Sequence, residues 1–225
     1  MQDKKIVALV PMRHHSQRVP QKNYRLVAGK PLYHYILTSL QQCDQIDAVV
    51  VDTDSDVIME GIKKEYPDVQ VISRPVHLCA DEISMNRILL HDISLFPADF
   101  YIQTHSTNPL LKPHTIKAAI AAFLDKHNQF DSLFSVTRLQ SRLWDQNTNP
   151  INHDPSILLQ TQDLPPVFEE NSCVYIFTGE QLARRENRIG VKPLMFEISP
   201  EEALDIDEMS DLYIVESMLR REQNT

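Results

Sequence analysis

The stretch KIVALVPMRHHSQRVPQKN, residues 5–23, holds both halves of the argument about this chain. Its first part, residues 5–10, is a short apolar run rich in β-branched residues and closed by Pro11, which reads as a buried strand. The rest turns polar and basic, with Arg13, Arg18 and Lys22, and Pro20 punctuates it as a loop. In open α/β sheets ligands gather beyond the carboxyl ends of the strands, so this loop is a candidate site. Arg and Lys pair with phosphate oxygens, which suits the loop to a polyphosphate, although a merely solvated basic loop has the same composition. No glycine precedes Gly29, which excludes a GxGxxG fingerprint and a GxxxxGK[ST] loop after this strand. Any phosphate cradle here must use side chains and non-glycine amides.

Working outward, helical spacing is predicted over 31–42, 56–66, 84–95, 113–126 and 210–221. The clearest case is 113–126, with Ile116, Ala119, Ile120 and Phe123 on one face. Strand character falls at 48–51, 69–72, 99–103, 132–137, 173–178 and 192–198. Strands alternating with helices imply an α/β fold of three layers, a mostly parallel central sheet covered on both faces. The rhythm breaks at 138–171, which has four prolines and little periodicity. We read 1–225 as a single domain with 138–171 as an inserted arm or dimerisation lobe.

A chain of 225 residues can bury a sizeable core without disulfides or metals. The formal charge of −9 disfavours nucleic acid as a partner. No run of 18 apolar residues occurs, so no membrane span is expected, and the first residues lack a signal-peptide pattern. Cys43, Cys79 and Cys173 are widely spaced, without CxxC, and point to a reducing, cytoplasmic setting. The histidines form no HxxxH pair with a partner carboxylate, which argues against zinc.

Near the other end, Asp205 and Asp207 flank Ile206. In extended backbone, residues i and i+2 point the same way, so the two carboxylates face one side. Paired oxygen ligands completed by water and substrate phosphates suit Mg²⁺. Asp211 and Glu208 read instead as favourable charges at a helix start. Asp52, Asp54 and Asp56 also alternate; they could form a second metal site, or Asp54 or Ser55 could cap the helix that follows.

The ordered set of motifs resembles the acylneuraminate cytidylyltransferases, enzymes that make CMP-sialic acid and related CMP-sugar acids. Their signature is approximately A-R-x-G-S-K-x-x-P-x-K-N, and Arg13, Ser16, Pro20, Lys22 and Asn23 match it. The likeness continues through residues 27–32, VDTDSDVI at 51–58, SRP at 73–75 leading to Asp81 and Ser84, DSLFSVTR at 131–138, Glu170–Asn171, and LDIDEMSDL at 204–212. The chain departs from the family pattern at His14 and His15, where two glycines are usual, and at Gln17, where a lysine is usual. The loop at 103–111 is about two residues longer than the family's Q-x-T-S-P-L.

The resemblance implies a Rossmann-like nucleotidyltransferase fold. It also implies a reaction of CTP with a 2-keto sugar acid of sialic-acid type, giving a CMP-sugar acid and pyrophosphate. Arg13 and Lys22 would act on the triphosphate. Ser16, Arg18, Asn23, Arg74, Asp81 and Ser84 would bind nucleotide, with Ser84 equally readable as a helix N-cap. Gln103, Glu170 and Asn171 would hold the sugar, and Asp205 and Asp207 would hold Mg²⁺. The family's arm reaches into a neighbouring subunit, so a homodimer is expected. Alternatives are an acceptor such as Kdo, legionaminic, pseudaminic or a phosphonate-type acid, or a non-catalytic nucleotide-binding relative. Against Kdo, residues 103–109 contain no acidic residue where the enzymes that handle it carry a G-D-E-P-like loop.

Overall fold

The computed structural model describes residues 4–223. Among them, seven strands build one sheet in the order β5-β4-β1-β6-β8-β7-β9. β1 (Ile6–Leu9) lies between β4 (Ala48–Thr53) and β6 (Phe100–Thr104), with β5 (Gln70–Ser73) outside β4, all parallel. β8 (Val167–Phe177) runs antiparallel to both β6 and β7 (Ser132–Leu139), and β9 (Pro193–Glu197) pairs parallel with β7 at the edge. The sheet is therefore mostly parallel, as the alternation of elements predicted, and every strand read from the sequence is present.

Among the elements that the sequence did not name are a small hairpin and a short α-helix. The hairpin is β2 (Leu26–Val27) and β3 (Lys30–Pro31), whose turn places Gly29 at φ 87°. The helix is α5 (Gly179–Arg185), capped by Thr178, whose side chain accepts from the Gln181 N–H.

Strand alternation divides the core. On β1, Ile6 and Ala8 face one side with Val10 just beyond the strand, and Val7 and Leu9 face the other. The first side packs on α1 (Tyr33–Gln41), α2 (Asp56–Glu65) and α4 (Pro113–Lys126), through Ile36, Leu40, Ile58, Ile62, Ile120 and Phe123. The second packs on α3 (Met85–Leu95) and α5 through Leu89 and Leu182.

The segment read as an arm is the far end of a long β7–β8 hairpin. Arg138 and Leu139 still pair with Phe168 and Val167, and Val136 pairs with Glu170, so only the stretch between the strands is irregular. The start of β8 is half-exposed and lacks apolar alternation, which is why its strand character was not legible. A register shift between Phe134 and Val136 is secured by Ser135, whose hydroxyl donates to Asn171 Oδ1 (2.5 Å) and accepts from the Val174 N–H (2.9 Å).

A third apolar cluster positions the site. α6 (Met209–Gln223) contributes Leu212, Val215 and Leu219, and they meet Val19 of the first loop, Val27 of β2 and Leu32 just ahead of α1. Ile206 joins them, fully buried, and its N–H donates to the Thr107 carbonyl (2.9 Å). Removing that side chain leaves a cavity that the surroundings fill only in part. Ile206→Ala is expected to lower the unfolding free energy by about 2–5 kcal/mol, measured by urea denaturation followed by circular dichroism.

Candidate active site

The loop after β1 is held from below by hydrogen bonds to its backbone. Asn23 Nδ2 donates to the Arg13 carbonyl (2.6 Å), and Asn23 Oδ1 accepts from the Ser106 hydroxyl (2.7 Å). The His14 N–H donates to Asp54 Oδ1 (2.6 Å), and the His14 ring meets the Ser55 hydroxyl through Nδ1 (2.7 Å) and stacks on Tyr24. Ser55 is also the N-cap of α2, accepting from the Ile58 N–H. Of the helix-cap readings for the acidic cluster, Ser55 is the cap, and Asp54 is the residue that holds the loop.

Above this support lies a cleft of about 590 Å³. The loop lines it with Arg13, His15, Ser16, Gln17, Arg18, Lys22 and Asn23, and the far wall carries Asp205 and Asp207. The two charged groups singled out at opposite ends of the sequence meet here. Arg18 donates to Asp207 Oδ1 (2.7 Å), and Lys22 donates to the Ile206 carbonyl (2.7 Å) with its ammonium 3.4 Å from the same carboxylate oxygen. Asp81 also lines the cleft and accepts from Arg13 (2.8 Å) and Gln17 (3.3 Å).

Asp205 and Asp207 also line a second cleft of about 550 Å³, walled by Glu169, Glu170, Asn171 and Ser172 of β8. The aspartate pair thus stands at the junction of two clefts. Burial, with the charges of Asp207 and Asp211 behind it, raises the Asp205 carboxyl above its ordinary value, against a hydrogen bond from Thr107. Its Oδ1 is buried without a hydrogen-bond partner. A buried carboxylate oxygen left open beside a second carboxylate is a hard-oxygen donor set, and it fits a cation of the Mg²⁺ class. Asp211 is turned to other work: its Oδ2 accepts from the N–H groups of Asp207 and Glu208 ahead of α6.

Three sequence assignments change. Arg74 does not line the cleft. Its side chain is 1% exposed and closed in against Asp52 and the Met12 carbonyl, so it supports the loop from beneath. Ser84 sits at the N-cap position of α3 but makes no side-chain cap bond, is exposed, and lies outside the cleft lining. Gln103 is fully buried; its Oε1 accepts from Arg188 (2.5 Å) and its Nε2 lies 2.9 Å from His105 Nε2. His105 is the residue of that strand end that reaches the cleft. Burial, reinforced by the Arg188 and Lys22 charges, pushes its imidazole down, which keeps it neutral near pH 7.

Glu170 accepts from the Tyr175 hydroxyl, and Asn171 is committed to Ser135 and, through Nδ2, to the Thr137 hydroxyl (2.9 Å). Both border the second cleft, and Asn171 serves the β7–β8 irregularity first. Sequence reasoning missed His105, Ser106, Thr107 and Arg188. The first three lie in a polar loop after a strand, which is itself a signal; Arg188 had none.

Residues 7–224 match the Cytidylyltransferase family. An N-acylneuraminate cytidylyltransferase of Oncorhynchus mykiss is 30% identical over 224 residues, covering 96% of this chain and 50% of that protein, so the chain spans about half the length of that relative. A CMP-N,N'-diacetyllegionaminic acid synthase of Legionella pneumophila is 26% identical over 234 residues, covering 97% of this chain and 98% of that one. Among solved structures, a CMP:2-keto-3-deoxy-manno-octonic acid synthetase complexed with CTP superposes with a TM-score of 0.73 at 16% identity, over 97% of this chain and 99% of that one. A 4-diphosphocytidyl-2C-methyl-D-erythritol synthase from Anaerococcus prevotii gives a TM-score of 0.71 at 11% identity, over 97% of each chain; at such identities the likeness speaks for the fold. With a family match running almost end to end over a sheet of this topology, the chain belongs to the cytidylyltransferase family.

Proposed function

We propose that this protein activates a 2-keto sugar acid of the nonulosonate class with CTP. The anomeric hydroxyl oxygen bonds to the α-phosphorus, the bond to the bridging oxygen breaks, and pyrophosphate leaves with that oxygen. The hydroxyl proton passes to water. One observation carries this reading: Asp205 and Asp207 stand where a cation-lined cleft meets a second cleft. A transfer between two substrates needs such a junction, with a polyphosphate on the basic side and an acceptor on the other.

Each residue's part follows from its place. Arg13, Arg18 and Lys22 neutralise the triphosphate, and Ser16 and the loop amides add donors. His15, exposed on the cleft wall, stands on the same side as these cations. Asn23 holds the loop's shape rather than offering a free amide. Asp205 and Asp207 would hold Mg²⁺, which when bound supplies positive charge at the α-phosphate and acidifies a nearby hydroxyl. Arg18 and Lys22 keep Asp207 compensated when triphosphate is absent.

The second cleft bears on assembly. Its lining includes Glu169 and Glu170 and no lysine or arginine, so it offers no cation to the carboxylate of an acid. We propose that a second copy of the chain supplies one through the segment between β7 and β8. That segment carries Arg142 and exposes Leu158 (89%) and Trp144 (51%), apolar surface of the kind a homodimer covers. Three free cysteines agree with a reducing, cytoplasmic location.

Incubation with CTP, Mg²⁺ and a panel of sialic, legionaminic, pseudaminic and Kdo-type acids is expected to release pyrophosphate with a nonulosonate and to yield the CMP adduct by mass spectrometry. No release with any acceptor, alongside CTP binding by calorimetry, would mark a binding protein instead. Asp205→Asn and Asp207→Asn are each expected to lower kcat by about 100-fold or more, with the Mg²⁺ requirement shifted upward in a metal titration. Leu158→Asp is expected to convert the dimer to monomer in sedimentation velocity and to abolish turnover while CTP binding persists.

A further inference from the structure

Beneath the first loop lies a group of charged side chains that the reaction does not use. Asp52 at the end of β4, Arg74 after β5 and Asp92 on α3 are all buried, at 1%, 5% and 1% exposure. Arg74 Nε donates to Asp52 Oδ1, and its Nη2 donates to the carbonyls of Met12 and Asp52, each at 3.2 Å. Asp52 Oδ2 and Asp92 Oδ1 are buried with no N–H or O–H partner. Carboxylate oxygens of the two aspartates lie within 4.8 Å of each other and of a His91 ring nitrogen.

Two buried carboxylates facing one guanidinium leave a surplus negative charge away from water, and such a charge is removed rather than tolerated. A metal ion or a proton could remove it. The spacing would admit a metal, but Arg74 already supplies the positive charge on Asp52, and a divalent cation placed there would be repelled by it. A proton needs no space and turns one carboxyl into a donor for the other. Burial, then the Asp52 charge, pushes the Asp92 carboxyl up to about 8, with Arg74 pulling the other way. The titratable and charged groups facing Asp92 are Asp52 from β4, Arg74 from beyond β5 and His91 from its own helix. The neighbouring apolar cluster presents Val7 and Leu9 of β1, Tyr101 of β6 and Leu182 of α5.

We propose that Asp92 carries a proton that it donates to Asp52, and that it is thereby a positioning residue for the triphosphate loop. The bond leaves one negative charge on Asp52 for Arg74, and Arg74 in turn holds the Met12 carbonyl where β1 gives way to the loop. This rests on the reading of that loop as the triphosphate site. Ionised Asp92 would set two like charges against each other under the loop and loosen the contact to Met12.

The sign of the pH effect follows from linkage. The folded protein keeps a proton that the unfolded chain gives up near pH 3.8, so this group's contribution falls as pH rises from about 4 to about 8 and then levels. Asp92→Asn keeps a donor and cannot titrate. Its melting temperature relative to wild type is expected to rise across that window and then flatten, with CTP affinity by calorimetry at pH 7 within about twofold of wild type. Asp92→Leu, similar in size but without a donor, is expected to raise KM for CTP about tenfold with a smaller change in kcat.

An Asn variant as impaired as the Leu variant would overturn the proposal, because the ionised form would then be the one required. Unchanged CTP binding in both would reduce Asp92 to a structural role and overturn it equally. A stoichiometric metal ion found in wild type and lost in Asp92→Asn would replace the proton with a cation. Failure of wild type to bind CTP at all would instead remove the reading of the loop, and the stability profile would still report on the proton.

Discussion

The burial of Ile206 is the constraint on which the site depends. Its side chain has no exposure and packs with Val19 and Leu32 of the first loop region and with Leu212 and Val215 of α6. Backbone alternation then directs the neighbours on either side the other way, toward the clefts. One apolar residue therefore determines where two carboxylates point. It also ties residues near 206 to residues near 19, which no local propensity could do. The Thr107 carbonyl, accepting the Ile206 N–H, adds the loop after β6 to the same knot. Three distant pieces of sequence converge because each shares that small apolar cluster.

The electrostatics of the cleft follow from that convergence. Arg18 and Asp207 are both well exposed, and an exposed pair of this kind contributes at most about 1 kcal/mol. Lys22, at 15% side-chain exposure, is more enclosed and is fixed by the Ile206 carbonyl as well. The arrangement is thus better suited to exchange partners than to stabilise the fold. An exposed ion pair of this kind gives up its partner at little cost. Arg13, Arg18 and Lys22 set a local positive patch on the cleft of a chain whose formal charge is −9.

Much of this was legible in the sequence, for identifiable reasons. β1, β4 and β6 are almost wholly buried, so their apolar runs are unbroken, and α4 carries a full apolar stripe. The basic loop and the aspartate pair were legible because each is compact in sequence. What escaped depended on distant contacts. Arg74 reads as a ligand contact because nothing local shows that Asp52 will close over it. Gln103 stands at a strand end, and only the three-dimensional placing of Arg188, stacked 3.6 Å over the Tyr175 ring, shows that its amide is already engaged. The first residues of β8 pair with β7 without burying a face, and a strand of that kind leaves no period to detect.

The loop that lacks glycine brings these threads together. Glycine-rich phosphate cradles work by bringing bare backbone close to the anion, at the cost of conformational freedom in the unbound state. Here the residues at the expected glycine positions are His14 and His15, and the structure uses them differently. His14 is drawn down onto Asp54, Ser55 and Tyr24, while His15 stays on the cleft wall. Asn23 holds the Arg13 carbonyl, and Arg74 holds that of Met12. A loop fastened at successive carbonyl and amide groups has little freedom left to lose when a ligand meets it. Side-chain struts replace backbone flexibility, and the same struts explain why buried polar residues such as Asp52, Arg74 and Asn23 crowd beneath a single loop.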